Sequence, residues 1–232
     1  MSNIKPLTGV QLKRPSGDLI LERYLTHKAS VKAELALCEV SNGDRKLPNC
    51  PSSVSEELMA HAFNGFRTPP RVTGDVILPK TENGMEVYYR NNPKLECKAI
   101  TRSIGGKPGP SSFSPSTGKD AELAIGIMDI DNDVFNVYSA GTIENLAGIQ
   151  INKNETFGDQ QKAGRRPRIV LVTFDDEGNP VWNPNLSVTH VATYFLKEGE
   201  PLTFIKNKQD SKIEKFPTPE KKNSDFEASP AS

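Results

Sequence analysis

The chain has 232 residues, and its 29 basic and 29 acidic residues leave it with no formal net charge. With 35% hydrophobic residues and no long apolar run, it is predicted to form one loop-rich, soluble domain without a membrane span or signal peptide. The zero net charge argues against a non-specific nucleic-acid coat. Three cysteines without metal-ligand spacing favour a reducing cytoplasm.

The first predicted element is a helix over residues 18–40, which Asn42-Gly43 would end. Packing in the core is the simpler role for it, and dimerisation is the alternative. Its apolar residues recur at loosely helical spacing, at Ile20, Tyr24, Val31 and Leu35.

A second helix is predicted over residues 53–64, where Ser53 and Glu56 match a capping box. Its apolar face is Leu58, Met59, Ala62 and Phe63. Glu57 has two interpretations: an acidic residue favoured by the helix N-terminus, which is the preferred one, or a carboxylate that supports a site on the following sheet.

Residues 74–100 read as short strands separated by turns, and they carry the clearest chemical signal in the chain. Glu96 and Lys98 stand two residues apart on one strand, so both side chains leave the same face. Asp75 opens an earlier strand. Two carboxylates and a lysine on one face suit Mg²⁺-dependent phosphodiester hydrolysis. The plainer alternative is a half-exposed strand with an ion pair.

The spacing of Asp75 and Leu95-Glu96-Cys97-Lys98-Ala99 resembles the active-site signature of the PD-(D/E)-x-K nucleases. The sequence Glu-Cys-Lys-Ala and the Gly/Ser-rich loop after it most resemble those of type II restriction endonucleases. The resemblance covers residues 53–174, and Gly74 stands where the signature has proline. It implies that Asp75 and Glu96 bind the metal and that Lys98 orients and polarises the attacking water.

The spacer between Asp75 and Glu96 allows two arrangements. In a plain meander of strands 75–79, 85–90 and 94–100, Asp75 would lie two strands from Glu96, about 10 Å away, too far to share a metal. Glu86 would then be the partner. In the favoured arrangement, residues 81–93 project as an excursion and the two outer strands pair directly.

A long Gly/Pro/Ser-rich loop follows the catalytic strand, over residues 101–116. Residues 90–119 carry six basic residues against one acidic residue, which permits DNA binding. The loop lacks the spacing of a phosphate-binding P-loop. Its predicted DNA contacts are Arg102, Lys107, Ser111 and Ser112.

Two further segments follow. Residues 129–133 lack the glycine and glutamate of a calcium loop, and we interpret them as an acidic turn between strands at 123–128 and 134–138. The β-branched run 169–174 is predicted to be a central strand. Three basic residues just before this strand are predicted DNA contacts: Arg165, Arg166 and Arg168. The equal alternative is that they are solvated residues at the start of the strand.

The last elements are a turn over 175–180 and a strand over 188–196, in which His190 is taken as structural. We expect a single nuclease domain over 1–205, made of an N-terminal helical region over 1–65 and a catalytic sheet over 66–205. A disordered polar tail is expected over 206–232. The predicted fold is α/β, a restriction-endonuclease-like mixed sheet flanked by helices. The 53–64 helix would lie on one side, and the strands would come from 72–100, 169–174 and 188–196.

The predicted function is Mg²⁺-dependent, site-specific cleavage of double-stranded DNA by a cytoplasmic homodimer in a restriction-modification system. A cognate DNA methyltransferase is the expected partner. Two alternatives stay open. One is a non-specific repair, phage or defence nuclease of the same superfamily, and the other is a catalytically silent β-rich interaction module.

Overall fold

Two helices lie against one face of a large sheet. The computed structural model describes residues 14–41, 47–68, 74–89, 91–104, 108–206 and 212–217. Its helices are α1 Gly17–Ser41, α2 Ser52–Ala62 and α3 Phe157–Lys162, with a 3-10 turn at Ile143–Leu146. None of the helices in these ranges combines the length and apolarity that a bilayer crossing requires.

Helix α1 packs in the core, as the sequence predicts. Ile20, Tyr24 and Val31 are fully buried, and Leu35 packs against the same cluster. The predicted end of this helix at Asn42-Gly43 lies outside the described residues.

Helix α2 confirms the predicted helix, but the predicted capping box is wrong. Pro51 is the N-cap residue, and its carbonyl accepts the N–H groups of Val54 and Ser55, each at 3.0 Å. Among the described residues, no side chain caps the helix. The Glu56 carboxylate instead accepts a hydrogen bond from Arg67 Nε at 2.8 Å, because a cationic partner stabilises it more than the backbone N–H of a cap.

Most of the described strands are short. In chain order they are β1 Phe66–Arg67, β2 Val76–Ile77, β3 Lys80–Glu82, β4 Met85–Val87, β5 Lys94–Arg102, β6 Ser111–Ser112, β7 Glu122–Asp129, β8 Val134–Thr142, β9 Gln150–Asn152, β10 Glu155–Thr156, β11 Arg168–Ile169, β12 Val172–Phe174, β13 Pro180–Trp182, β14 Thr189–Phe195, β15 Thr203–Lys206 and β16 Glu214–Lys215.

Over the described ranges, eight strands form a mixed sheet in the order β1-β2-β5-β7-β8-β14-β15-β16. Strands β5 and β7 are parallel over eight residue pairs, and the other neighbours are antiparallel. The predicted α/β class with a mixed sheet and flanking helices is therefore confirmed, as are the strands at 123–128, 134–138 and 188–196.

The sheet separates two apolar clusters. The first lies under α1 and α2 and receives alternate residues of β5, the predicted catalytic strand, among them Leu95 and Cys97. The second lies on the opposite face and contains Ile100, Phe113 and Phe157. Strand β7 contributes to both clusters and is buried from Leu123 onward, so it is the central strand.

The prediction that 169–174 is a central strand is wrong. Strand β11 pairs with β6 and β12 pairs with β13, in two small ribbons outside the eight-stranded sheet. Ile169 and Leu171 are buried, whereas Val170 between them is 44% exposed. The apolar run therefore covers the second cluster with one face and meets water with the other, and a β-branched run fits that position as well as a central one.

The prediction that 206–232 is a disordered tail is wrong for residues 212–217. Glu214 and Lys215 pair with β15 at the sheet edge, and the neighbouring Phe216 is buried in the first cluster. Its ring lies 4.6 Å from that of His61. Residues 207–211 and 218–232 lie outside the described ranges.

The predicted acidic turn over 129–133 is confirmed. It joins β7 to β8, and Asp133 adopts a positive φ of 55°. The Asp129 carboxylate accepts the backbone N–H groups of Asp131 and Asn132 at 3.1 and 3.2 Å, so it closes the turn from within.

Candidate active site

The two outer strands of the 74–100 segment pair directly. Val76 stands opposite Leu95 and Ile77 opposite Lys94 in the antiparallel pairing of β2 with β5. Strands β3 and β4 form a separate hairpin, which is the predicted excursion. The pairing ends at Val76, and the next residue, Asp75, contacts the backbone of Leu95 and Cys97, on either side of Glu96.

The turn before Asp75 depends on Gly74. This glycine has a φ of +83°, and a Cβ on it would lie 2.8 Å from the Lys94 Cβ. The Thr68 hydroxyl donates to the Gly74 carbonyl at 2.7 Å, and the Thr68 N–H donates to the Asp75 carbonyl at 3.0 Å. Proline fixes φ near −65° and could not adopt this conformation, so the departure from the signature has a structural reason.

Asp75 is held to the catalytic strand by its side chain and its backbone. Its Oδ2 accepts a hydrogen bond from the Cys97 N–H at 2.7 Å, and its own N–H donates to the Leu95 carbonyl at 3.1 Å. The Cys97 thiol itself is buried, and burial together with the nearby carboxylates raises its pKa well above the ordinary value. This thiol therefore stays protonated and is no nucleophile.

Glu96 and Lys98 form a close, shielded pair. Lys98 Nζ lies 2.6 Å from Glu96 Oε1, and the Lys98 and Glu96 side chains are only 17% and 8% exposed. The Thr117 hydroxyl donates to Glu96 Oε2 at 3.4 Å. The ammonium also lies 4.8 Å from the centroid of the Phe113 ring. The ion pair of the plainer interpretation thus exists, but it is buried and beside a third charged group, Asp75.

A third carboxylate lies near the site, and it is Glu56 rather than Glu57. Burial raises the pKa of Glu56, the Arg67 guanidinium lowers it, and the negative charge of Asp75 raises it further. Glu57 is buried, and Arg67 Nη1 lies 3.4 Å from its Oε1. In the sequence, Glu57 is the residue considered for this role, and Glu56 is assigned to the capping box. Because adjacent residues on a helix point about 100° apart, only one of the two lines the cleft beside the catalytic strand, and it is Glu56.

Glu86 lies apart from these groups, on the projecting hairpin. It is exposed in β4, and its Oε2 accepts a hydrogen bond from the Tyr88 hydroxyl at 3.2 Å. With Asp75 paired to the catalytic strand, the arrangement that required Glu86 does not apply.

A cleft of about 340 Å³ opens beside the catalytic strand. Its wall includes Glu56, Lys98 and the ribbon residues Ser111, Ser112 and Arg168. Three of the residues predicted to contact DNA therefore line the same cleft as the predicted catalytic lysine. Ser112 and Arg168 are exposed neighbours in the β6–β11 ribbon.

The other predicted DNA contacts differ in their surroundings. Arg102 forms an ion pair with the buried carboxylate of Asp129, and its side chain is 18% exposed. Arg165 is exposed but forms a bidentate pair with Glu155. Arg166 is exposed. Lys107 lies outside the described residues.

The donor set suits a hard cation. Within the described ranges, no group of three or more His, Cys, Asp or Glu side chains is arranged to hold a metal ion. Two carboxylates, Asp75 in the turn before β2 and Glu96 on β5, nevertheless match the usual protein share of a Mg²⁺ site, in which water and phosphate oxygens complete the octahedron. The residues present therefore fit a magnesium ion bound together with a phosphodiester.

Comparison with known proteins identifies the class as a type II restriction endonuclease. The type II restriction enzyme Bsp6I of Bacillus sp. (strain RFL6) is 31% identical to this chain over 143 residues, 61% of this chain and 74% of that enzyme. The model of the Bsp6I restriction endonuclease family matches residues 32–174. The chain belongs to this family, which confirms the resemblance and the restriction-endonuclease-like fold. No solved structure matches the chain.

Proposed function

We propose that this restriction endonuclease cuts both strands of DNA at a short specific site with Mg²⁺ as its cofactor. The observation that supports the proposal is the pairing of β2 with β5, next to which Asp75 contacts the backbone of Leu95 and Cys97, the two neighbours of Glu96. Lys98 lies two residues on and forms an ion pair with Glu96. A strand that served only for packing would have no need of a buried carboxylate, Glu96, with two half-buried charged residues beside it.

Asp75 and Glu96 would hold the ion. When bound, Mg²⁺ supplies a Lewis acid that polarises a phosphoryl oxygen and makes a bound water more acidic. Asp75 is oriented for this role by the Cys97 N–H. Glu96 is oriented by Lys98 on one oxygen and by Thr117 on the other.

Lys98 would act on the attacking water and the scissile phosphate. An ammonium has three N–H donors, and one of them is used on Glu96. The remaining donors serve to orient the water and to stabilise negative charge as it develops on the phosphate. In other enzymes, such preorganised charge stabilisation lowers the activation barrier by about 3–4 kcal/mol.

The DNA would lie along the cleft wall. Ser111, Ser112 and Arg168 line the cleft beside Lys98, so a backbone held by them reaches the lysine. Arg166 extends the same basic surface, and Arg165 and Lys107 remain proposed contacts. We leave Arg102 out, because its guanidinium is engaged by a buried carboxylate.

The assembly and the cellular setting belong to the same proposal. The described residues of one chain carry one such site, and cutting both strands of a symmetric sequence is most simply achieved by a two-fold homodimer. A site-specific cutter in the cytoplasm also requires that the host sequence be protected, so we expect a cognate DNA methyltransferase in the same restriction-modification system.

The test is cleavage of a sequenced plasmid by purified protein with Mg²⁺, with Ca²⁺ and with no metal. We expect discrete fragments that share one sequence at their ends with Mg²⁺, and binding without cleavage with Ca²⁺. Lys98→Ala and Glu96→Ala should be inactive, whereas the exposed control Lys215→Ala, at the far edge of the sheet, should cut normally. Fragments with random ends would indicate the non-specific nuclease, and no cleavage would indicate the silent module.

A further inference from the structure

The Lys98 ammonium has two neighbours of different kinds. On one side Glu96 Oε1 lies 2.6 Å away, and on the other the Phe113 ring centroid lies 4.8 Å away. A cation within about 6 Å of a ring face is attracted by the ring quadrupole, and the attraction is stronger where water is excluded. The 17% exposure of the Lys98 side chain meets that condition.

The ring supplies a constraint that the carboxylate lacks. A lysine ammonium sits on a flexible four-carbon stem, and a single ion pair leaves it able to swing about its carboxylate partner. A fixed aromatic face on a second side limits that swing. The ammonium is thereby directed toward the cleft, which Lys98 lines.

Phe113 is itself firmly held. It is fully buried and makes an edge-to-face contact with Phe157, with ring centroids 5.2 Å apart. Its N–H donates to the Pro167 carbonyl at 3.0 Å, which continues the pairing of Ser112 with Arg168 by one residue. The ring that faces the lysine is thus one residue from the ribbon that lines the cleft.

We propose that Phe113 is a positioning residue that aims the Lys98 ammonium, and that the β6–β11 ribbon carries this ring into place. The inference rests on the proposed role of Lys98 in cleavage. It assigns to the loop after the catalytic strand a function in the chemical step, in addition to DNA contact. A ribbon seated on the correct DNA would hold the lysine in its productive position.

The test first weakens the negative face of the ring, with two fluorines, and then reverses it, with five, while the ring shape is kept. Phe113 is replaced by 3,5-difluorophenylalanine and by pentafluorophenylalanine in the full-length protein, and the same two replacements at Phe157 are the control. Both rings are fully buried in the same cluster and touch each other, and of the two it is Phe113 that contacts the ammonium. Single-turnover cleavage with Mg²⁺, DNA affinity with Ca²⁺ and thermal midpoint are measured, with rates taken per DNA-binding-competent molecule.

We expect the single-turnover rate to fall stepwise with fluorination at Phe113, by roughly tenfold at pentafluorophenylalanine. DNA affinity and the thermal midpoint should follow the Phe157 control. Equal rates for the two positions at each fluorination level would overturn the inference, because the ring would then serve only packing.

A second pair of variants tests the same proposal if the fluorinated proteins fold poorly. Phe113→Leu removes the ring face and Phe157→Leu removes an equal ring without a cation, so a lower rate in Phe113→Leu alone supports positioning. Lys98→Ala in the same assay separates the two proposals. Wild-type cleavage by Lys98→Ala would refute the proposed site, whereas an inactive Lys98→Ala with equal Phe113→Leu and Phe157→Leu rates would refute only the role of Phe113.

Discussion

The carboxylate of Asp75 accepts a hydrogen bond of 2.7 Å from the backbone N–H of Cys97, the residue between Glu96 and Lys98. One contact therefore ties a residue in the turn before β2 to the middle of the catalytic strand. The position of this carboxylate depends on a backbone donor, and its proposed metal affinity depends on its charge. These two properties can be separated by mutation.

Asp75→Asn should keep the position of the side chain and remove its charge. The amide oxygen can accept the same N–H, so we expect a folded protein that binds DNA without metal at least as well as the wild type. Cleavage should fall by about 100-fold or more, because a charged ligand in a preorganised site is lost. Paired gel-shift and plasmid-cleavage assays measure both properties. Wild-type cleavage by this variant would remove Asp75 from the site.

Arg166→Ala and Arg168→Ala should weaken DNA binding, because both side chains are exposed on or beside the cleft ribbon. A phosphate contact predicts a uniform loss across sequences and a salt dependence shallower by about 0.9 per contact. A base contact predicts relaxed specificity instead. Arg165→Ala should have a smaller effect, since Glu155 already engages that guanidinium. Lys215→Ala is the matched control, and equal affinities for all four variants would contradict the proposed surface.

Arg102→Ala should lower stability while leaving DNA affinity per folded molecule unchanged. The substitution leaves the buried carboxylate of Asp129 without its cation, which costs about 3 kcal/mol. The exposed Arg168→Ala should change the free energy of unfolding by less than about 0.5 kcal/mol. Urea denaturation of the two variants compares these costs, and a stable Arg102→Ala that has lost DNA affinity would restore the DNA contact.

Removal of the chain after Lys206 should destabilise the protein, because Phe216 is buried against His61 in the first cluster. Phe216→Ala alone should lower the free energy of unfolding by about 3 kcal/mol. Truncation after Pro217 is the control and should preserve stability. Thermal midpoints of the three proteins measure the effect, and identical midpoints would show that this segment contributes nothing to the fold.

Acid should destabilise the protein through His61. Burial, with smaller contributions from Arg14 and Lys206, lowers the pKa of His61 from 6.5 to about 3. His61 of the unfolded chain therefore binds a proton below pH 6.5, whereas His61 of the folded protein binds one only near pH 3. The free energy of unfolding falls as the pH falls through this window.

His61→Asn tests this pH dependence, because its amide can replace the Nδ1 contact with the Tyr194 hydroxyl at 2.7 Å. The variant should lose less stability than the wild type between pH 6.5 and about pH 4, as measured by urea denaturation. Parallel curves for the two proteins would assign the acid sensitivity to other groups.

Local patterns in the sequence predicted the elements that local physics determines. The helices at 18–40 and 53–64 follow from apolar spacing, and the Glu96–Lys98 face follows from the two-residue period of a strand. The excursion of residues 81–93 followed from the reach of a shared metal ion, which required the outer strands to be adjacent.

Long-range partners explain the errors. The run at 169–174 is apolar enough for a central strand, but only the fold decides that it covers the second cluster beside β6. Arg102 was predicted to contact DNA because its ion-pair partner, Asp129, lies 27 residues away in the sequence and no local pattern connects them. Phe216 is one of two phenylalanines in the predicted polar tail, and no local pattern indicates its burial.

Gly74 makes the variant motif difficult to reverse. Its φ of +83° directs the chain so that Asp75 meets the catalytic strand, and the space a side chain would need is taken by Lys94. A single change to proline would restore the residue of the signature but would destroy the turn that positions Asp75. An evolutionary path between the two forms of the motif would therefore have to rebuild the Thr68 side of the turn at the same time, so the glycine form and the proline form are separated by more than one mutation.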